Sequence, residues 1–274
     1  LKKNQAVIEY IDSDELHNVL LLPKLNFNAL EPHLQLLNYT HCELHPSMIL
    51  GTSAFLVPYV QHNPNPRCVG GQKNNKKAIG TYSTAFNHRF DTSSYILNYP
   101  ERPLVTTRMA PIIHSDEMGT GANIIIAITV YNGYNEEDSI IVNQKSLDLG
   151  LFNNCIIKTY SETETIDPKT GQEELFYNPL QMNENEEINN ITMKKEKNYQ
   201  KLDEFGFIKK GSVLEPNDIL IGKYLKYVND KGRTEYKDIS KEVKKDNDGS
   251  IVDNIFCWNS NSDKLKVVKI KTVQ

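Results

Sequence analysis

The sequence predicts a β-rich α+β fold on three observations. An apolar, largely β-branched run extends from Ile124 to Val130, long enough for a buried strand. After residue 200, short apolar runs at Val213-Leu214, Ile219-Leu220-Ile221 and Val267 to Ile270 are separated by turn residues at spacings typical of a small all-β unit. Near the start, Ala6-Val7-Ile8-Glu9-Tyr10-Ile11-Asp12 alternates apolar and polar positions.

Composition bounds what such a fold can do. At 274 residues with 39% hydrophobic content, the chain suits about two domains and can bury a real core. A formal net charge of -4 excludes the strongly basic balance of a free-standing DNA-binding domain, so any basic groove must be local. No stretch approaches the roughly 20 apolar residues of a membrane span. Leu1-Lys2-Lys3 runs into acids, so an intracellular protein without membrane attachment is expected. Cys42, Cys68, Cys155 and Cys257 lie far apart with no C-x-x-C pair, which fits reduced thiols better than a zinc ribbon or a disulfide framework. His41, Cys42 and His45 resemble a ligand set only in spacing, and a structural role is expected of them. The 29 asparagines point to coding bias in an AT-rich genome, which lowers the weight of tracts such as Lys73-Asn74-Asn75-Lys76-Lys77. A first residue other than Met and a strand-like end at Lys269 to Gln274 are expected of a fragment.

In chain order, residues 5 to 22 predict two short strands about an acidic turn, followed by a polar loop with Pro23 and Pro32. Pro46 and Pro58 break residues 41 to 60 into short elements, with a helical turn after Pro46. Residues 61 to 77 are almost wholly polar and predict a loop: Pro64 and Pro66 stiffen the approach to Arg67, and Gly70-Gly71 permit positive φ. Such an arginine can grip a phosphate bidentately, with the lysines extending the positive field; alone, the segment also fits a solvated loop. Residues 98 to 108 predict an extended connection punctuated by Pro100 and Pro103.

Gly133-Tyr134-Asn135-Glu136-Glu137-Asp138 then sets three carboxylates in a turn after the Ile124 to Val130 strand, and Ser139 to Val142 predicts a return strand. Acids at a strand end suit metal or phosphate chemistry, although an isolated triplet equally describes a solvated hairpin loop. Asn143 predicts an N-cap for a helix through Leu149, with Gly150 terminating it. Residues 155 to 160 predict a strand, and 161 to 200 either a long polar insertion or a pair of poorly covered strands. A turn is expected at Asp203 to Gly206, and the lysines of Leu265 to Lys271 are expected on a solvated strand face.

Taken in order, Cys42-Glu43-Leu44-His45-Pro46-Ser47-Met48-Ile49-Leu50-Gly51, His62 to Arg67, Thr106-Thr107-Arg108 and Gly133 to Ser139 resemble the second-largest subunit of multisubunit DNA-directed RNA polymerases, in its archaeal and eukaryotic branch. Asp148 to Phe152, Lys201 to Gly206, Asp218 to Lys223 and Leu265 to Lys269 extend the resemblance over nearly the whole chain. It implies the end of an external, lobe-side region at 1–40 and a fork-region segment at 41–57. It further implies the hybrid-binding region at 58–153, as the first part of a double-psi β-barrel, and a β-rich wall or flap at 154–274. The barrel would be completed by segments that follow the wall in the family.

The resemblance also assigns roles. Glu137 and Asp138 match an acidic pair near the second, nucleotide-borne Mg2+, and Arg67 matches an arginine that contacts the incoming nucleotide's phosphates. Lys76 retains a family lysine, and Lys77 stands where a glutamine touches the transcript backbone; a lysine there can still neutralise a phosphate. Gly70 replaces a family tyrosine, which removes that contact. This divergence, with the Asn–Lys bias, resembles polymerases of large nucleocytoplasmic DNA viruses, with an AT-rich cellular lineage as the alternative. The implied partners are the largest polymerase subunit and other subunits, DNA template, RNA transcript and nucleoside triphosphates. A non-catalytic β-rich assembly or nucleic-acid interaction module is the competing expectation.

Overall fold

Ile208, Leu214, Ile219, Leu220, Ile221, Val268 and Ile270 are wholly buried and centre the main core, which lies in the C-terminal third of the chain. The computed structural model describes residues 8–22, 39–181, 188, 191–229, 231–260 and 265–274. These divide between two compact units, one within 1–78 and 104–114, the other within 79–103 and 115–274.

The first unit is built of short elements. Asp12 caps a helical turn at Ser13–Leu16 by accepting from the backbone N–H groups of Asp14 and Glu15 at 2.9 and 2.7 Å. Strand β1 (Leu21–Leu22) pairs in parallel with β2 (His41–Cys42). Of the two strands expected over residues 5 to 22, the second is present in part as Leu21–Leu22, while residues 8–12 of the first form no strand; Ala6, Val7, Pro23 and Pro32 lie outside the described residues. The helical turn expected after Pro46 is a 3-10 turn, Pro46–Ile49, capped by His45 Nδ1 accepting from Ser47 N–H. A further helical turn, Thr52–Phe55, buries Ala54, and Thr107 Oγ1 donates to the Phe55 carbonyl at 2.6 Å, tying residues 104–114 to it.

Residues 61 to 77 form no loop: Asn65–Asn75 is an α-helix. The prolines that suggested a stiff loop are compatible with its start, because Pro64 occupies the cap and Pro66 lies in the first turn, where a missing N–H costs nothing. Gly70 and Gly71 therefore sit in a helix interior and do not use positive φ.

In the second unit, β3 (Ser93–Leu97) and β4 (Asn154–Thr163) join two later strands in an antiparallel sheet. Short β5 (Thr165–Asp167) and β6 (Gln172–Phe176) fill the start of the acid-rich stretch as a strand pair, one of the two alternatives expected. Residues 182–187 of that stretch lie outside the described residues. Strands β7 (Ile219–Ile221), β8 (Lys223–Val228), β9 (Thr234–Asp238) and β10 (Lys241–Glu242) follow, then β11 (Ile251–Asn259) and β12 (Lys266–Val273). The orders are β11-β12-β4-β3, β5-β6-β8-β9 and β10-β7. Glu164, buried where β4 gives way to β5, accepts from Phe176 N–H and Lys266 N–H and so pins the first two sheets together. A β-rich fold follows, as the sequence predicts.

Two expectations fail here. Ile124 to Val130 and Ser139 to Val142 form no strand, and Ile125 and Ile128 are 101% and 98% exposed. A strand exists only where a partner pairs with it, and neither segment finds one among the described residues. The lysines of β12 are not all solvated either. Lys271 is buried and donates to the Phe86 and Asn87 carbonyls at 3.2 and 2.8 Å, while Lys269 lies over two aromatic rings. The helix expected after Asn143 is present as Gln144–Asp148, with Asn143 Oδ1 accepting from Lys145 N–H and Gly150 at φ 105°. Among the described residues no helix is long and apolar enough to cross a membrane.

Candidate functional site

Asn135 shapes the acidic turn. Its Oδ1 accepts from Tyr131 N–H at 3.0 Å and its Nδ2 donates to the Thr129 carbonyl at 2.7 Å, closing a loop immediately before the carboxylates. A second turn follows, with Ser139 N–H donating to the Glu136 carbonyl at 3.1 Å. Glu137 stands inside it at φ 56°, in the left-handed region that a residue with a Cβ rarely adopts. Glu137 and Asp138 are exposed and in no ion pair among the described residues. Upstream, Glu101 Oε2 accepts from both the backbone and side-chain amides of Asn123, at 2.9 and 3.0 Å. Those bonds hold Glu101 below the usual carboxylate range and fix the start of the exposed Ile124 to Val130 segment.

Arg67, Lys76 and Lys77 share one element in the first unit. Arg67 is exposed in the first turn of the Asn65–Asn75 helix, and the two lysines are exposed at its C-terminal end. At 3.6 residues per turn, Arg67, Gly70 and Asn74 fall on one helical face; Lys76 is the C-cap, and Lys77 lies past the helix end with its N–H donating to the Asn74 carbonyl at 3.0 Å. A Cβ placed on Gly70 would meet nothing within 4 Å, so this face is bare beside Arg67. His41 Nε2 is occupied by Glu9 at 3.0 Å and His45 by its cap, consistent with the structural role expected of them.

The later motifs that carry the resemblance build the scaffold. Lys201 Nζ donates to buried Asp218 Oδ2 at 2.6 Å, while Asn198 Nδ2 donates to Asp218 Oδ1 at 2.8 Å. Partial burial opposes the charge on Lys201, but its bond to Asp218 and that carboxylate's charge outweigh this and raise its pKa. Asp203 Oδ1 accepts from Phe205 and Phe207 N–H, closing the expected turn. A Cβ on Gly206 or Gly222 would lie 2.2 or 2.1 Å from the Tyr177 carbonyl oxygen, so both positions require glycine. Close by, Tyr199 Oη donates to Asp238 Oδ2 at 2.5 Å, and burial followed by that bond raises the tyrosine's pKa strongly.

The model of the family described as RNA polymerase Rpb2, domain 6, matches residues 53–274 of the chain. The chain belongs to this family of second-largest RNA polymerase subunits. It is 37% identical over 241 residues to DNA-directed RNA polymerase II subunit RPB2 of Encephalitozoon cuniculi, covering 86% of this chain and 20% of that protein. Over 280 residues it is 34% identical to DNA-directed RNA polymerase II subunit 2 of Arabidopsis thaliana, covering 97% and 22%. An archaeal relative, DNA-directed RNA polymerase subunit Rpo2 of Sulfolobus acidocaldarius, is 35% identical over 219 residues, covering 80% and 18%. The chain spans about a fifth of the length of these curated relatives.

Proposed function

We propose that this chain contributes to nucleotide addition by a DNA-directed RNA polymerase, and does so only within the assembled enzyme. The observation that carries the reading is the closed turn Glu136–Ser139, which holds two adjacent exposed carboxylates, Glu137 and Asp138, after a segment that has no strand partner among the described residues. No group of three or more acids, histidines or cysteines suited to a metal occurs among the described residues. Such a pair suits an ion whose other ligands come from elsewhere, and Glu137 and Asp138 would hold a Mg2+ delivered with the nucleotide. When bound, that ion would neutralise the triphosphate and the leaving pyrophosphate.

Arg67 binds the nucleotide's phosphates, and Lys76 and Lys77 neutralise nucleic-acid phosphates from the end of the same helix. In this reading residues 58–153 form part of a double-psi barrel that binds the RNA–DNA hybrid, and 154–274 form the wall. Completion of that barrel by further strands would explain why Ile125 and Ile128 face solvent. The largest subunit, other subunits, template, transcript and nucleoside triphosphates are the partners, and the place of action is intracellular. A non-catalytic module is the second reading, favoured by bare Gly70 on the face that carries Arg67.

The two readings separate in a polymerase reconstituted with this chain. Asp138→Ala is expected to slow nucleotide addition by about 100-fold or more while leaving DNA affinity within about two-fold. An unchanged elongation rate would remove the catalytic role and leave the module.

A further inference from the structure

One face of the β11-β12-β4 sheet carries a cluster that neither the acidic turn nor the basic helix uses. Register sets Phe256 opposite Lys269 and Lys269 opposite Ser161; in the next row Trp258 faces Val267, and Val267 faces Thr163. Directly paired residues project to the same side of a sheet, so rings, ammonium and hydroxyls form one surface. Phe90, from the loop before β3, packs edge-on against Phe256 with centroids 4.9 Å apart. Lys269 Nζ lies 4.7 Å from the Phe90 ring centroid and 5.8 Å from that of Trp258. Trp258 and Phe90 are 42% and 40% exposed, and Ser161 and Thr163 are exposed beside them.

The charges are sorted to match. Glu162, between the two hydroxyl residues, projects to the opposite side, where Lys223 and Lys241 engage it. Asp91, next to Phe90, is taken by Arg89 at 2.8 and 3.1 Å and by Tyr82 Oη at 2.7 Å. Among the described residues, the two rows therefore offer a cation, accessible ring faces and hydroxyls, with no carboxylate. An apolar peptide laid on this face would bury Lys269 without an anion, at a cost in desolvation. A polymer that alternates planar rings with anionic groups satisfies every element at once.

We infer that this face is a stacking platform for single-stranded nucleic acid. Bases stack on Trp258 and Phe90, Lys269 neutralises a phosphate, and Ser161 and Thr163 hydrogen-bond to the backbone or base edges. The inference does not rest on the roles proposed for Arg67 or Asp138.

Trp258 is the only tryptophan, so its emission reports on this face directly. Titration of the full chain with an oligouridylate of about 12 nucleotides should quench that emission saturably, with affinity falling as salt rises. In anisotropy measurements with a labelled oligonucleotide, Lys269→Gln and Phe90→Ala should each weaken binding about ten-fold. Trp258→Phe, which keeps a ring, should weaken it less than about three-fold. Arg67→Ala and Asp138→Ala should leave Trp258 quenching intact, so failure of the catalytic reading would not imitate failure of this one. Absence of quenching, or quenching that survives both Lys269→Gln and Phe90→Ala, would overturn the platform. So would a concentration-dependent blue shift of Trp258 with no response to the oligonucleotide, which would assign the face to protein contact.

Discussion

A left-handed backbone at Glu137 costs an L-residue about 1–2 kcal/mol, yet the turn keeps glutamate there and spends its glycine at Gly133. That places the strain beside the acid on which the metal chemistry is proposed to depend. Arg67 is free to act at the same scale, because its exposed guanidinium has no ion pair among the described residues. In the reconstituted enzyme Arg67→Ala should raise the apparent KM for nucleotides about ten-fold or more with a smaller change in kcat; a change confined to promoter binding would displace it from the nucleotide. Gly222 makes the opposite kind of prediction. Its substitution by alanine drives a methyl group to 2.1 Å from the backbone oxygen of Tyr177, where no side chain can yield. Loss of about 3 kcal/mol of stability is expected in denaturant unfolding, and an unchanged midpoint would contradict the packing described.

The Asn65–Asn75 helix and the Ile124 to Val130 segment mark where sequence pattern succeeds and fails at the scale of elements. Alanine at Gly70 would meet no atom within 4 Å, so Gly70→Ala should stabilise the helix by about 0.5–1 kcal/mol, read as slower hydrogen exchange of its amides. Faster exchange would mean that the helix is not the resting state of these residues. The helix was hidden in the sequence because Asn, Lys and Gly carry no apolar stripe, and two prolines read as loop chemistry unless they fall in a first turn. By contrast, Asn143 and Gly150 were legible because a cap and a terminator act on their nearest neighbours. The isoleucine run was misleading for a different reason: β-propensity describes a side chain suited to a half-buried pleat, and only a distant partner can provide one. The burial of Lys271 was equally unreadable, since its acceptors, Phe86 and Asn87, lie 185 and 184 residues away. Within the candidate site, the acids and the arginine were visible as residue types at motif spacings. That Lys76 and Lys77 follow the C-terminal end of the helix whose first turn carries Arg67 required the structure.

For the molecule as a whole, the distribution of buried tyrosines fixes how stability responds to alkali. Burial, with a smaller contribution from the charge of Asp246, pushes the Tyr160 phenol from its ordinary value near 10 up to about 12. Burial also comes first at Tyr177 and Tyr199, where the Asp238 charge adds to it, and at Tyr224 beside Glu173; all three are raised. A phenol whose pKa is raised by folding keeps its proton in the folded state after the unfolded chain has lost it. Its contribution is complete below about pH 10 and is lost as pH rises from there through the folded value, near 12 for Tyr160. The raised pKa of Lys201 works in the same direction, because its ammonium is held by Asp218 only in the folded chain. Urea midpoints should therefore be flat from about pH 7 to 9 and fall steeply above about 10, by up to about 1.4 kcal/mol per pH unit for each such tyrosine. Tyr160→Phe is the discriminating variant. The hydroxyl it removes is buried without a hydrogen-bond partner among the described residues, so stability at neutral pH should hold or rise while the alkaline slope becomes shallower. A midpoint that stays level through pH 11, or a slope indifferent to Tyr160→Phe, would show that these phenols are reached by water in the folded chain.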